Sequence, residues 1–182
     1  MENIAGKLLI AEPFLSDINF KRAVILVCEH HVGGTTGFVI NRKLNFKINE
    51  LLIDLPTFDA DVYYGGPVDT NTIHYLHRVG DLVDDALMVA PGLYWGGNYE
   101  DIKLLIKNEL LSPQDIKFFV GYTGWEGGQL LEEFEDKTWL IADFDPNYIF
   151  KNLHQDLWSE VLNNKGNTFS VIAQIPDTIS QN

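Results

Sequence analysis

The chain has 182 residues, which suits one domain of ordinary size, and its 46% hydrophobic content can supply a core that folds without a metal or a disulfide. Its formal net charge of -13 repels phosphate backbones, so nucleic acid is a poor default partner. The single cysteine excludes an intramolecular disulfide. Because the chain shows neither a secretory signal nor an apolar run of roughly 20 residues, we expect a cytoplasmic protein without a membrane span.

The first quarter of the chain predicts a pair of neighbouring strands. Residues 23–28 form an apolar run, which is typical of a central strand covered on both faces. The glycine pair at 33–34 permits a chain reversal, and residues 37–41 return as a second run with strand character. We therefore expect antiparallel pairing, which would bring Cys28 and Arg42 into one neighbourhood.

The remaining elements predict an α/β (α+β) fold in a single domain over residues 1–182, with a tail from about residue 166. Apolar residues at helical spacing indicate an amphipathic helix over residues 99–111. The glycine-rich stretch 121–128 predicts a turn between a strand and a helix. We expect further strands at 7–11, 61–64, 73–78, 86–90, 116–120 and 138–142, an edge strand at 168–175, and further helices near 48–55, 129–135, 146–150 and 155–163.

Basic residues are concentrated near the ends of the first strands. If they share one face, they form a basic patch on an acidic body. Sequence proximity does not establish a shared face, so we favour separate solvated charges and keep the patch as the alternative. The residues concerned are Lys21, Arg22, Arg42, Lys43 and Lys47.

Cys28 is the one thiol that can act as a nucleophile or a redox sensor. His30 lies two residues further along the predicted strand, where alternation places both side chains on one face and lets the imidazole set the ionisation of the thiol. Arg42 or backbone N–H groups near Gly124 would then stabilise an anion. The alternative, which we favour, is that Cys28 is a small buried residue in an apolar strand.

Two further motifs offer weak ligand sites. Residues 28–31 include metal-ligand types, but their spacing along one strand does not suit a metal, so we predict no metal and no cofactor. Backbone N–H groups of the stretch 121–128 can cradle an anion at a helix start. Acidic residues crowd the following helix, however, and close backbone packing under Trp125 is the simpler interpretation.

Seven short motifs follow one another along the chain: Cys28-Glu29-His30, Gly37-Phe38-Val39-Ile40-Asn41-Arg42, Gly65-Gly66-Pro67-Val68, Leu76-His77, Gly121-Tyr122-Thr123-Gly124-Trp125, Gly128-Gln129-Leu130 and Trp139-Leu140. In this order, and over about residues 5–162, they resemble the AlgH/YqgE family of bacterial proteins. The resemblance implies one α/β domain with a strongly bent, mostly antiparallel mixed sheet or half-barrel flanked by helices.

The same resemblance implies a regulatory role. The family carries a transcriptional-regulator label from a genetic link to alginate production, and it has no established substrate, cofactor or catalytic residues. Lys43 departs from the proline that often follows the Asn-Arg pair in this family, which alters the charge of the candidate basic patch.

We predict a regulator that binds a small molecule or a protein partner rather than DNA. A DNA-binding protein of this size is expected to carry a basic excess and a recognition helix, whereas the helix at 99–111 carries three acidic residues beside two lysines. A thiol-dependent enzyme or redox sensor using Cys28 and His30 is the alternative. The candidate ligand-binding residues are Asn41, Arg42, Gly65, Gly66, Pro67, Gly124 and Trp125.

Overall fold

The computed structural model describes residues 3–150 and 156–176. Within these ranges the strands are β1 (Lys7–Ala11), β2 (Val24–His31), β3 (Gly34–Val39), β4 (Lys43–Lys47), β5 (Asp61–Tyr64), β6 (Val68–His77), β7 (Leu87–Ala90), β8 (Leu93–Trp95), β9 (Ile116–Glu126) and β10 (Trp139–Asp143). The helices of the same ranges are α1 (Ile48–Leu51), α2 (Tyr99–Lys107), α3 (Gln129–Glu135), α4 (Asn147–Phe150), α5 (Leu157–Lys165) and α6 (Asn167–Ala173).

The strands form one open, mostly antiparallel sheet. Hydrogen-bonded neighbours follow the order β10-β1-β2-β3-β9-β6-β8-β7. Outside this order, β5 pairs with β4 on one side and with β9 on the other. Among the described strand pairs, only β5 and β9 run parallel. The predicted fold class, a mostly antiparallel sheet with flanking helices in one α+β domain, is confirmed.

Strand β2 lies at the centre of one half of the sheet, between β1 and β3, and it pairs antiparallel with both. One face, which includes Leu26, packs in a cluster with Trp158 of α5. The other face, which includes Ile25, packs with Trp125 and with Leu130 of α3. Helices therefore cover both faces of β2, which explains why the strand is apolar at successive positions.

Strand β9 joins the two halves of the sheet. Its first half pairs with β5 and β6, and its last four residues pair with β3. The turn predicted for residues 121–128 is wrong over most of its length, because the strand continues to Glu126. The chain reverses at Gly127–Gly128 instead, where Gly128 has a φ of +89°.

The edge strand predicted for residues 168–175 is also wrong, because this segment forms α6. Phe169, Ile172 and Ala173 pack against the core cluster around Trp158, and their spacing is that of one helix face. The polar end 177–182, together with residues 151–155, lies outside the described residues. Across the described chain, each helix is too short or too polar to cross a bilayer.

Candidate functional site

Cys28 lies in the core of the sheet. Its side chain is 3% exposed, and its sulfur lies 4.0 Å from the carbonyl oxygen of Leu26. Burial, with a smaller contribution from the charge of Glu29, raises the pKa of the thiol well above its ordinary value. A thiolate nucleophile needs the opposite environment, so this position favours the interpretation of Cys28 as a core residue.

His30 has a different partner from the one that its spacing predicts. The pairing of β2 with β3 shifts register between Val27 and Glu29, which disturbs the alternation that would place Cys28 and His30 on one face. The imidazole Nδ1 lies 2.8 Å from Thr35 Oγ1, and burial lowers the pKa of the imidazole. His30 lines a cavity of about 400 Å³ near the β9–α3 turn, and Cys28 is not part of that lining.

The candidate glycines before β6 allow close backbone packing. A Cβ atom added to Gly65 would lie 2.2 Å from the carbonyl oxygen of Gly121, and one added to Gly66 would lie 2.2 Å from that of Tyr122. These glycines let the chain pass directly over β9. Pro67 follows at an exposed position just before β6 begins.

Trp125 anchors the helix that follows β9. Its indole N–H and that of Trp139 both donate to Oε2 of Glu133 in α3, at 2.8 and 2.6 Å. Gly124, the neighbouring candidate, is an exposed residue within β9. The structure thus places the conspicuous tryptophan motif at the contact between α3 and the sheet.

Asn41 and Arg42 form hydrogen bonds that hold the loop leading into β2. Asn41 Oδ1 accepts a hydrogen bond from the Val24 N–H at 2.9 Å, and its Nδ2 donates to the carbonyl oxygen of Arg22 at 2.8 Å. The Arg42 guanidinium donates to two further loop carbonyl oxygens at 2.8 and 2.9 Å, those of Ile18 and Lys21. The Asn-Arg motif therefore holds this loop beside the end of β3.

Asn41 and Arg42 line a cavity of about 490 Å³, together with residues of β5, β9 and the start of α5. This cavity is here called the basic cavity. Its one acidic lining residue among those described is Asp156. Four of the five basic residues considered above share this cavity, so the expectation of separate charges is wrong. The basic lining residues are Lys21, Arg22, Arg42, Lys43 and Lys117.

Arg22 is held tightly at one side of the basic cavity. Its guanidinium carbon lies 4.5 Å from the centroid of the Trp158 ring, and an N–H of the same group donates to the carbonyl oxygen of Ile175. The backbone at Arg22 has a φ of +52°, which non-glycine residues seldom adopt. The Nε of Arg22 is buried and has no hydrogen-bond partner among the described residues.

Lys117 lines the basic cavity but belongs to none of the predicted sites. Its Nζ lies 3.9 Å from the centroid of the Tyr63 ring and 3.5 Å from the carbonyl oxygen of Ile40. Burial lowers the pKa of the ammonium group to about 7, against the opposing effect of Asp61. A single lysine inside the apolar run 116–120 is the sequence signal that would have identified it.

Lys43 and Lys47 differ from Lys117 because both form ion pairs. The Nζ atoms of Lys43 and Lys47 lie 2.6 and 2.9 Å from carboxylate oxygens of Asp61. Lys47 lines an adjoining cavity of about 450 Å³, which shares Tyr63 and Lys117 with the basic cavity. Lys117 therefore borders both cavities, while Asp61 is occupied by its two neighbours.

Comparison with known proteins identifies the family. A family model described as AlgH-like matches residues 8–170. The chain belongs to the AlgH-like family. Among relatives, this AlgH-like chain is 42% identical over 173 residues to a UPF0301 protein of Chlorobium luteolum, covering 95% of this chain and 92% of the relative. It is 36% identical over 172 residues to a UPF0301 protein of Cytophaga hutchinsonii, covering 94% of each.

Solved structures agree with this assignment. The solution structure of the AlgH protein from Pseudomonas aeruginosa superposes with a TM-score of 0.77 at 29% identity, covering 96% of this AlgH-like chain and 95% of that one. A crystal structure of a protein from Corynebacterium diphtheriae gives a TM-score of 0.79 at 22% identity, covering 96% and 94%, and supports the fold. The predicted family is confirmed.

Metal-ligand side chains are dispersed in the part of this AlgH-like chain that the structure describes. No three His, Cys, Asp or Glu side chains there are grouped so that they could hold a metal ion. Of the predicted ligand-binding residues, Asn41 and Arg42 line the basic cavity. We therefore take the basic cavity as the candidate functional site.

Proposed function

We propose that this AlgH-like protein is a cytoplasmic regulator that binds a small anionic molecule in the basic cavity. The observation that carries the proposal is the convergence of Arg22, Arg42, Lys43 and Lys117 on one cavity in a chain of formal net charge -13. Positively charged side chains gathered at one cavity attract an anion. The volume of about 490 Å³ falls within the roughly 300–1,000 Å³ of small-molecule sites.

The lining groups indicate the chemistry of the ligand. Guanidinium and ammonium groups suit a carboxylate or a phosphate, and the unpaired Nε of Arg22 is a donor of the matching kind. The start of α5, whose N-terminal dipole favours negative charge, lies at the same cavity. Tyr63 and Trp158 add aromatic surface. We propose a small carboxylate or phosphate compound as the ligand class.

This mode of action does not involve direct contact with DNA. The described helix α2 carries Glu100 and Asp101 in its first turn, and the cations that the chain does concentrate line a concave cavity. A duplex needs an extended basic face or a basic recognition helix. A small ligand fits the cavity, and a regulatory effect would follow from the ligand's influence on the surrounding surface.

Titration with inorganic phosphate and with citrate, followed by amide chemical shifts, tests the proposal. We expect saturable shifts at residues of the basic cavity. Lys43→Gln removes one cation from the lining and is expected to weaken binding several-fold, by about 1 kcal/mol. Lys103→Gln is the matched control, because Lys103 also forms ion pairs, with Asp54 and Glu100, but does not line the cavity. Shifts scattered over the surface, or equal effects of both variants, would contradict the proposal.

A further inference from the structure

We infer that Lys117 is a carbonyl-binding residue, whose amine forms an imine with the aldehyde or ketone group of a small oxoacid held in the basic cavity. The inference rests on the proposed function, because the neighbouring cations must hold the carboxylate of the oxoacid. It goes further by naming the reactive atom, Nζ of Lys117, and by narrowing the ligand class from anions to anions that carry a carbonyl group.

The side chain of Lys117 lies between two cavities. The residue borders both the basic cavity and the adjoining cavity, and its Nζ contacts a ring face of Tyr63 and the carbonyl oxygen of Ile40. The nearby carboxylate of Asp61 is bound instead by Lys43 and Lys47. The amine therefore sits in a cavity wall without a carboxylate of its own among these contacts.

The protonation state of Lys117 suits this chemistry. Only a neutral amine attacks a carbonyl group, and an ordinary lysine with a pKa of 10.5 is neutral in fewer than about one molecule in a thousand at pH 7. Burial lowers the pKa of Lys117 to about 7, so a far larger share of the molecules carries the neutral amine at that pH than for an ordinary lysine. The aromatic face of Tyr63 remains available to stabilise the positive charge of a protonated imine.

The reaction needs no oxidant or reductant. The nitrogen lone pair of Lys117 attacks the carbonyl carbon and forms a C–N bond, and a proton passes from nitrogen to the former carbonyl oxygen. The resulting carbinolamine then loses that oxygen as water, with the second amine proton, and leaves a C=N bond. Arg22 lines the same cavity, and its Nε, which has no hydrogen-bond partner among the described residues, is the donor placed to bind the carboxylate.

Reductive trapping in the full-length chain tests the inference. The protein is incubated at pH 7 with glyoxylate and sodium cyanoborohydride, and the modified residues are identified by peptide mass spectrometry. We expect Lys117 to be carboxymethylated on the order of a hundredfold faster than Lys103, a partly exposed lysine whose ion pairs raise its pKa. Acetaldehyde, which lacks the carboxylate, should show much weaker selectivity. Labelling spread over the lysines and the N-terminal amine would overturn the inference.

Two charge-conserving variants separate chemistry from charge. Lys117→Arg should abolish the selective adduct, whereas Lys107→Arg, at an exposed position that lines neither cavity, should retain it. If Lys117→Arg does not fold, the peptide map of the unmodified sequence still decides the question. Glycolate, which has the carboxylate but no carbonyl group, distinguishes the two proposals. Glycolate binding without a Lys117 adduct from glyoxylate would overturn the imine and leave the anion site, whereas loss of both would overturn both.

Discussion

Glu133 is the polar centre of the contact between α3 and the sheet. It accepts the indole N–H groups of Trp125 and Trp139 on one oxygen and the side-chain N–H of Gln129 on the other, at 3.0 Å. Glu133→Ala would leave two buried indoles without acceptors, so we expect the free energy of unfolding to fall by about 2–4 kcal/mol. Guanidinium denaturation followed by tryptophan fluorescence measures this change.

The matched control is Glu132→Ala, one position earlier on the same helix. Glu132 is exposed, so its truncation is expected to change the free energy of unfolding by less than about 0.5 kcal/mol. Similar losses in the two variants would show that helix propensity or overall charge, rather than the paired indole hydrogen bonds, accounts for the effect.

Cys28 is expected to react with alkylating agents only after unfolding. Its sulfur is enclosed, and burial raises the pKa of the thiol, so both access and thiolate content are low in the native chain. Alkylation rates from pH 5 to 10, compared with a denatured control, measure the difference. Rapid native alkylation with a midpoint below the roughly 8.5 of a free cysteine would restore the thiol-enzyme alternative.

At the scale of elements, the glycines in β9 and those in the segment that passes over it differ in whether they can accept a side chain. Gly66→Ala would place a Cβ 2.2 Å from a β9 carbonyl oxygen, which cannot move without breaking the sheet, so we expect a loss of more than about 2 kcal/mol. Gly124→Ala meets only the edge of the Tyr122 ring, at 3.3 Å, and the ring can turn aside. Thermal melts of the two variants compare them directly, and comparable melting temperatures would contradict the packing explanation.

The sequence predicts elements whose signal is local. The apolar run in β2 and the periodic helix α2 are recognisable because burial on two faces, or on one stripe, imposes a pattern within a few residues. The continuation of β9 through Gly121 and Gly124 is not local, since it depends on the close passage of Gly65–Gly66 from elsewhere in the chain. The sequence predicts a strand in place of α6 because a short segment with β-branched residues fits the two-residue period of a strand as well as the 3.6-residue period of a helix.

The candidate site was only partly predictable for the same reason. Asn41 and Arg42 were identified, but their hydrogen-bond partners belong to a loop about 20 residues earlier. The convergence of Arg22 and Lys117 requires the loop before β2 to lie near β9, and no spacing in the sequence encodes that proximity. Single residues of the site were therefore visible, whereas the cavity that joins them is a property of the tertiary structure.

At the scale of the whole molecule, Lys117 couples folding stability to pH. The pKa of its ammonium is about 7 in the folded chain and near the ordinary 10.5 when unfolded. Below about pH 7 both states are protonated, and the folded state bears the full cost of enclosing the charge. Between about pH 7 and 10.5 the unfolded state binds more protons, so the contribution of Lys117 to stability rises with pH.

Lys117→Met removes this dependence and keeps an unbranched chain against Tyr63. The variant is expected to melt a few degrees above the parent at pH 6, with the margin shrinking as the pH approaches 10. Lys103→Met is the control, because the ion pairs of Lys103 raise its pKa, so Lys103 stays largely protonated in both states over most of this range. Melting temperatures measured from pH 6 to 10 test this prediction. If the difference in melting temperature between Lys117→Met and the parent stays constant, or grows toward alkaline pH, the enclosed ammonium group is not the source of the effect.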